Sequence, residues 1–145
     1  MKKIITLTTA FIVFLSFTQL TGCDKSDPAT PDSHSIQGLW IGTYATNGQS
    51  TNTNTYYSFI IKPDGGLLVE TRFLNQQELA IGTWTLSGKV FSCSFTYVYA
   101  AAGHVGTAQS ATANWDDSGK LASGTWMNTS PSNGVTGTFS LTKVN

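Results

Sequence analysis

A glycine followed two residues later by a large ring recurs along this 145-residue chain, as Gly38-Leu39-Trp40, Gly82-Thr83-Trp84, Gly124-Thr125-Trp126 and Gly137-Thr138-Phe139. Along a strand, residues i and i+2 face the same side, so each pair sets an absent side chain beside a very large one on a single face. In a helix the two members would point to different sides. The pattern suits strands that curve tightly, because glycine lets a strand bend and lets a ring or backbone from a neighbouring strand come close. These eight residues are therefore read as inward-facing, barrel-closing positions.

The rest of the chain agrees with strands. No stretch from Ile36 onward carries a helical apolar period, while threonine, which favours strands, is abundant. Strands are expected at Ile36–Thr46, Thr55–Lys62, Leu67–Phe73, Leu79–Leu86, Val90–Ala100, Val105–Trp115, Leu121–Asn128 and Val135–Val144. The connectors Pro63-Asp64-Gly65-Gly66, Ser87-Gly88-Lys89 and Asp116-Asp117-Ser118-Gly119 place glycine where tight hairpins need positive φ. Longer loops are expected at Asn47–Asn54, Leu74–Glu78, Ala101–His104 and Thr129–Gly134. Eight strands joined in sequence form a meander, and closing it removes the exposed edges. The expected fold is all-β: an eight-stranded antiparallel up-and-down barrel over residues 36–145. Phe91, Cys93, Phe95, Tyr97 and Tyr99 should share its inner face.

The N-terminus is read separately. Lys2 and Lys3 precede an apolar stretch, Ile4 to Leu20, broken by Thr, Ser and Gln, as in a secretory signal. Leu20-Thr21-Gly22-Cys23 then resembles the lipobox of bacterial lipoproteins. That resemblance implies a signal peptide over 1–22, a lipid on the Cys23 sulfur, and an anchor on the extracytoplasmic side of a bacterial membrane, either periplasmic or surface-exposed. Two or more acyl chains anchor a protein stably where one does so marginally. Residues 23–35 carry Pro28 and Pro31 among polar residues and read as a disordered tether. With Cys23 lipidated, only Cys93 remains, so no internal disulfide is available.

Gly38-Leu39-Trp40 on the first strand of an eight-strand meander also resembles the lipocalin (calycin) signature. The resemblance implies that Trp40 plugs the closed end of the barrel and that a pocket for a small hydrophobic molecule opens at the other. Lys143 is the late basic residue nearest the position where that family places an arginine.

Chemistry is sparse. After Cys23 there are six basic and eight acidic side chains, with no basic stripe, so nucleic acid is not an expected partner. His104 is the one histidine of the barrel region, and no second histidine or paired cysteine stands at metal-ligand spacing. Asp64, Asp116 and Asp117 fall in turns, where capping is the expected role, and Glu70 with Arg72 reads as a surface pair. No serine can be given a base and an orienting acid, so neither an enzyme, a cofactor nor a metal is expected. An eight-stranded barrel either fills with side chains or holds one small ligand. Tyr57, Phe59, Thr71, Phe95, Tyr97 and Gln109 are the inward candidates for the open half, and so for ligand contact. The alternative is a packed barrel acting through its loops as an interaction module or inhibitor of an envelope protein. The polar segment 46–55 would then be its contact surface.

Overall fold

The computed structural model describes residues 35–48, 55–101 and 103–144. The expected signal segment, Cys23 and all of the expected tether except Ser35 lie outside the described residues, as do residues 49–54 of the polar loop. Eight strands follow in order: β1 Gly38–Thr46, β2 Thr55–Ile61, β3 Gly66–Phe73, β4 Gln76–Ser87, β5 Val90–Tyr99, β6 Ala108–Trp115, β7 Lys120–Ser130 and β8 Thr136–Lys143. Each pairs antiparallel with the next, and β8 returns to β1 to close the barrel. The fold class expected from the sequence is the one observed.

Alternation along the strands decides what fills it. Trp40, Phe59, Ile61, Leu67, Val69, Phe91, Phe95, Leu121, Phe139 and Leu141 point inward and are buried. Phe59 is the hub, with ring centroids 4.7 Å from Tyr57, 5.7 Å from Phe139, 6.0 Å from Phe91 and 6.3 Å from Phe95. Edge-to-face and tilted ring pairs at such spacings add to the stabilisation from area burial alone. At one end Trp40 is fully buried, its indole N–H donating to Ile36 O at 2.7 Å. Lys143 stands opposite Trp40 in the β1–β8 register and donates from its ammonium to Ser35 O. Trp84 lies at the same end and donates to Lys62 O at 2.9 Å. This end is closed.

The glycine–ring pairs explain how the wall closes. On β7 and β8 the register sets Gly124 against Phe139 and Trp126 against Gly137. The two motifs therefore interlock, each ring lying over the other strand's glycine. A Cβ on Gly124 would meet the Phe139 ring at 2.6 Å, and one on Gly137 would meet the Trp126 indole at 2.4 Å and Ala45 O at 2.0 Å. Both rings are buried as a result. Gly82 faces Phe95 across β4 and β5 in the same manner.

Four details differ from the sequence reading. The loop expected at Leu74–Glu78 is a two-residue turn: Leu74 and Asn75 both take positive φ, 49° and 63°, and Phe73 pairs directly with Gln76. That is the backbone of a type I′ hairpin, and it moves Glu78 onto β4. Tyr99 is 62% exposed rather than inward. The β4–β5 register shifts between Leu79 and Ala80, and this bulge ends the alternation after Tyr97. Val105 lies in the turn before β6 and is exposed. Glu70 and Arg72 do not pair: Glu70 accepts from Gln77 Nε2 at 2.9 Å, and the Arg72 guanidinium lies 5.3 Å from the Tyr56 ring centre. A further bulge between Leu121 and Gly124, with Ser123 at φ 52°, lets Leu121 and Trp126 both face inward although their spacing is odd. The aspartates are turn residues as expected. Asp64 Oδ1 accepts from Gly66 N, and Asp116 Oδ1 accepts from Ser118 N and Lys120 N.

Candidate ligand-binding site

The end opposite Trp40 is not filled. A cavity of about 330 Å³ opens there, bounded by residues of β1 to β7 and of the β5–β6 and β7–β8 loops. That volume sits at the small end of the range for ligand sites. Of the six inward candidates, Tyr57, Thr71, Tyr97 and Gln109 line it. Phe59 and Phe95 do not; they belong to the packed ring layer beneath. Their side chains fill the barrel because every strand contributes an inward residue at that level.

The walls are aromatic. Tyr44 stands 5.2 Å from Tyr57 and 6.1 Å from Trp126 by ring centroids. Trp126 is held by its indole N–H, which donates to Ala45 O at 3.2 Å, and Tyr44 donates to Arg72 O at 3.3 Å. Tyr44 and Trp126 are thus each tied to another strand's backbone by a hydrogen bond. Gln109 Nε2 donates to Asn128 Oδ1 at 2.9 Å, and Asn128 Nδ2 donates to Asn133 Oδ1 at 3.1 Å, building an amide rim.

Among the described residues one carboxylate sits within this wall. Glu78 is 3% exposed. A buried carboxylate is tolerated only when hydrogen bonds replace its water, and Glu78 has three donors. Thr71 Oγ1 donates to Oε2 at 3.2 Å, the Ala101 amide donates to Oε1 at 3.3 Å, and His104 Nδ1 lies 2.9 Å from Oε1. The His104 ring also packs on Phe73, with centroids 4.7 Å apart. The β5–β6 loop is therefore fastened to the mouth through one carboxylate oxygen. Sequence reading assigned neither residue to the site. His104 was one residue of a loop, and Glu78 was placed in another. A signal was nevertheless present, because Glu78, Ala80, Gly82 and Trp84 are spaced by two, so an inward Gly82 and Trp84 carry Glu78 inward with them.

The hydroxyls of the cavity stay neutral over the physiological range. Burial raises Tyr44 from its ordinary value to about 12, with the Glu78 charge adding to it. Burial does the same more strongly for Tyr57, helped by Tyr97, Cys93 and Tyr44. Tyr97 is raised chiefly by burial, opposed by its hydrogen bond with Thr71. Burial also raises the Cys93 thiol to about 12, opposed by a backbone hydrogen bond at Ala111, so the thiolate is suppressed.

Among the described residues two buried side-chain polar atoms are left without a partner, Trp115 Nε1 at the closed end and the Tyr57 hydroxyl. The Tyr57 hydroxyl is fully buried and has no hydrogen-bond partner, although the residue lines the cavity. Leaving such a group unsatisfied costs about 1–3 kcal/mol. Among the described residues no three histidine, cysteine, aspartate or glutamate side chains converge as a metal site would require. Among the described residues the lining offers aromatic rings, neutral hydroxyls, amides and a single carboxylate. No family model, no curated protein and no solved structure matches this chain.

Proposed function

We propose that the chain is a lipid-anchored protein of the bacterial cell envelope whose barrel binds one small, largely apolar molecule carrying a hydrogen-bonding group. The anchor rests on Leu20-Thr21-Gly22-Cys23, whose cysteine lies outside the described residues. The binding role rests on the cavity, and the observation that carries it is the buried, unpartnered Tyr57 hydroxyl at an aromatic wall. A barrel selected for stability alone would place phenylalanine there. The resemblance of Gly38-Leu39-Trp40 to the lipocalin signature supports the same reading, with Trp40 at the closed end and the cavity at the other.

The test is native mass spectrometry of the protein after exposure to an envelope lipid extract. A discrete added mass, lost on denaturation and lost or reduced in Tyr57→Phe, is the expected result. Tyr57→Phe should itself raise stability by about 1 kcal/mol, because it deletes an unsatisfied buried hydroxyl, so weaker binding could not be blamed on unfolding. An unliganded mass across all extracts would overturn the proposal and direct attention to the loops.

A further inference from the structure

The cavity has a sign as well as a shape. Among the described residues none that lines it is lysine or arginine, and the one carboxylate, Glu78, is buried in the wall. Its titratable partner there is His104, already 2.9 Å from Glu78 Oε1 and 41% exposed at the rim. With the imidazole neutral the pair carries a charge of −1; with it protonated the pair is neutral. In neither state does the mouth turn positive. An anionic head such as a carboxylate would meet Glu78 without a free cation to answer it, and like charges brought together in a partly desolvated site repel strongly.

A cation finds the reverse. Tyr44, Tyr57, Tyr97 and Trp126 line the same space, and aromatic rings attract an ammonium group that reaches their faces, through their quadrupole. Glu78 acts electrostatically on both Tyr44 and Tyr97, so the carboxylate and those rings share one neighbourhood. Resting on the binding reading above, we infer that the ligand is an organic amine: a small aryl or alkyl body carrying an ammonium that pairs with Glu78. Fatty acids and other anionic amphiphiles are thereby excluded, although an aromatic cavity alone would accept them.

Three probes of similar size separate the charge from the body: 2-phenylethylamine, 2-phenylethanol and 3-phenylpropionate, each titrated calorimetrically into the protein at neutral pH. The amine should bind at least about tenfold more tightly than the carboxylate, equivalent to about 1.4 kcal/mol, with the alcohol between them. Glu78→Gln retains an acceptor for His104 and should reduce that preference to within about twofold. Should Glu78→Gln fail to fold, His104→Ala decides: freeing Glu78 from its competitor should tighten the amine and leave the alcohol unchanged. Carboxylate binding equal to or tighter than the amine, or amine affinity unmoved or weakened in His104→Ala, would overturn the inference while leaving a neutral-ligand pocket intact. Failure of all three probes to bind would remove the pocket and the inference together.

Discussion

Replacing Gly137 with alanine adds one methyl group at the point where three strands meet. Its Cβ would lie 2.0 Å from Ala45 O and 2.4 Å from the Trp126 indole. Neither neighbour can retreat cheaply. Ala45 belongs to the β1–β8 ladder, paired with Thr138, and Trp126 is buried with its N–H donating to that same Ala45 oxygen at 3.2 Å. The methyl group therefore intrudes on a hydrogen bond as well as on a ring. Overpacking of this kind costs about 1–3 kcal/mol, and a buried indole N–H deprived of its acceptor costs a further 1–3 kcal/mol or so. The expected loss is about 4 kcal/mol, a large part of the roughly 5–15 kcal/mol typical of a domain. For a domain of this size it corresponds to a fall in Tm of roughly 15 °C. Urea unfolding followed by tryptophan fluorescence measures it, with Ser140→Ala, on the exposed face of β8, as a control expected within about 0.5 kcal/mol of the parent. The same substitution in a Trp126→Leu background should cost about 1–2 kcal/mol less, because the ring half of the conflict is gone. A Gly137→Ala protein within about 1 kcal/mol of the parent would refute the reasoning. It would mean that the strands part easily and that glycine here is not a closing device.

Other perturbations probe separate links. Leu74→Asn should stabilise the barrel by about 0.5–1 kcal/mol, since leucine holds a positive φ that asparagine adopts more readily; an unchanged urea midpoint would argue against the turn. Tyr44, Tyr57, Tyr97 and Cys93 all hold their protons more tightly in the fold than in the unfolded chain. Their contribution is thus fully present below about pH 9 and is lost as pH rises from there through about 12, where the unfolded chain has released protons that the fold retains. Urea midpoints should fall across that window, with phenolate absorbance from the buried tyrosines appearing together with unfolding; a midpoint as high at pH 11 as at pH 8, given roughly, would contradict the burial. Cys23→Ala should move the protein from the detergent phase to the aqueous phase on phase separation, and retention in detergent would remove the lipid from the account.

Much of the fold was legible because strand alternation and turn chemistry act over a few residues. Asp116, as expected for a turn, accepts from Ser118 N and Lys120 N, and the hairpin it holds joins β6 to β7. The glycine–ring spacing identified inward faces before any pairing was known. What alternation could not supply was its own interruptions. Nothing local announces the bulge at Leu79/Ala80 that turns Tyr99 outward, or the one before Gly124 that resets β7, because bulges answer to the neighbouring strand. The turn at Leu74-Asn75 was missed for a different reason. It lacks glycine, and the polar run Gln76-Gln77-Glu78 looks like loop until Glu78 is seen to share a face with Ala80. The site inherited that error: Tyr57, Thr71, Tyr97 and Gln109 were found by facing direction, while the carboxylate that gives the cavity its charge was assigned to a loop.

The distribution of polar groups along the barrel axis argues that its two ends answer to different demands. At the closed end Trp40 bonds Ile36, Trp84 bonds Lys62 and Lys143 bonds Ser35, while the Trp115 indole N–H is buried there without a partner. The ring layer around Phe59 is apolar, and stabilisation there follows from buried area. Above it the interior changes character within one inward step per strand, from Phe59 to Tyr57 on β2, from Val69 to Thr71 on β3, from Ala80 to Glu78 on β4 and from Phe95 to Tyr97 on β5. Hydroxyls and a carboxylate replace hydrocarbon at the same level on four adjacent strands. Each substitution taken alone weakens the core, and Tyr57 does so without any compensating partner in the free protein. Since filled apolar interiors are the easier route to stability, a coordinated change at one level supports the proposal that a molecule enters there. The barrel below it supplies the rigidity that holds those groups in place, so the interlocked β7–β8 rings and the Phe59 layer would matter to the proposed binding although they do not carry it.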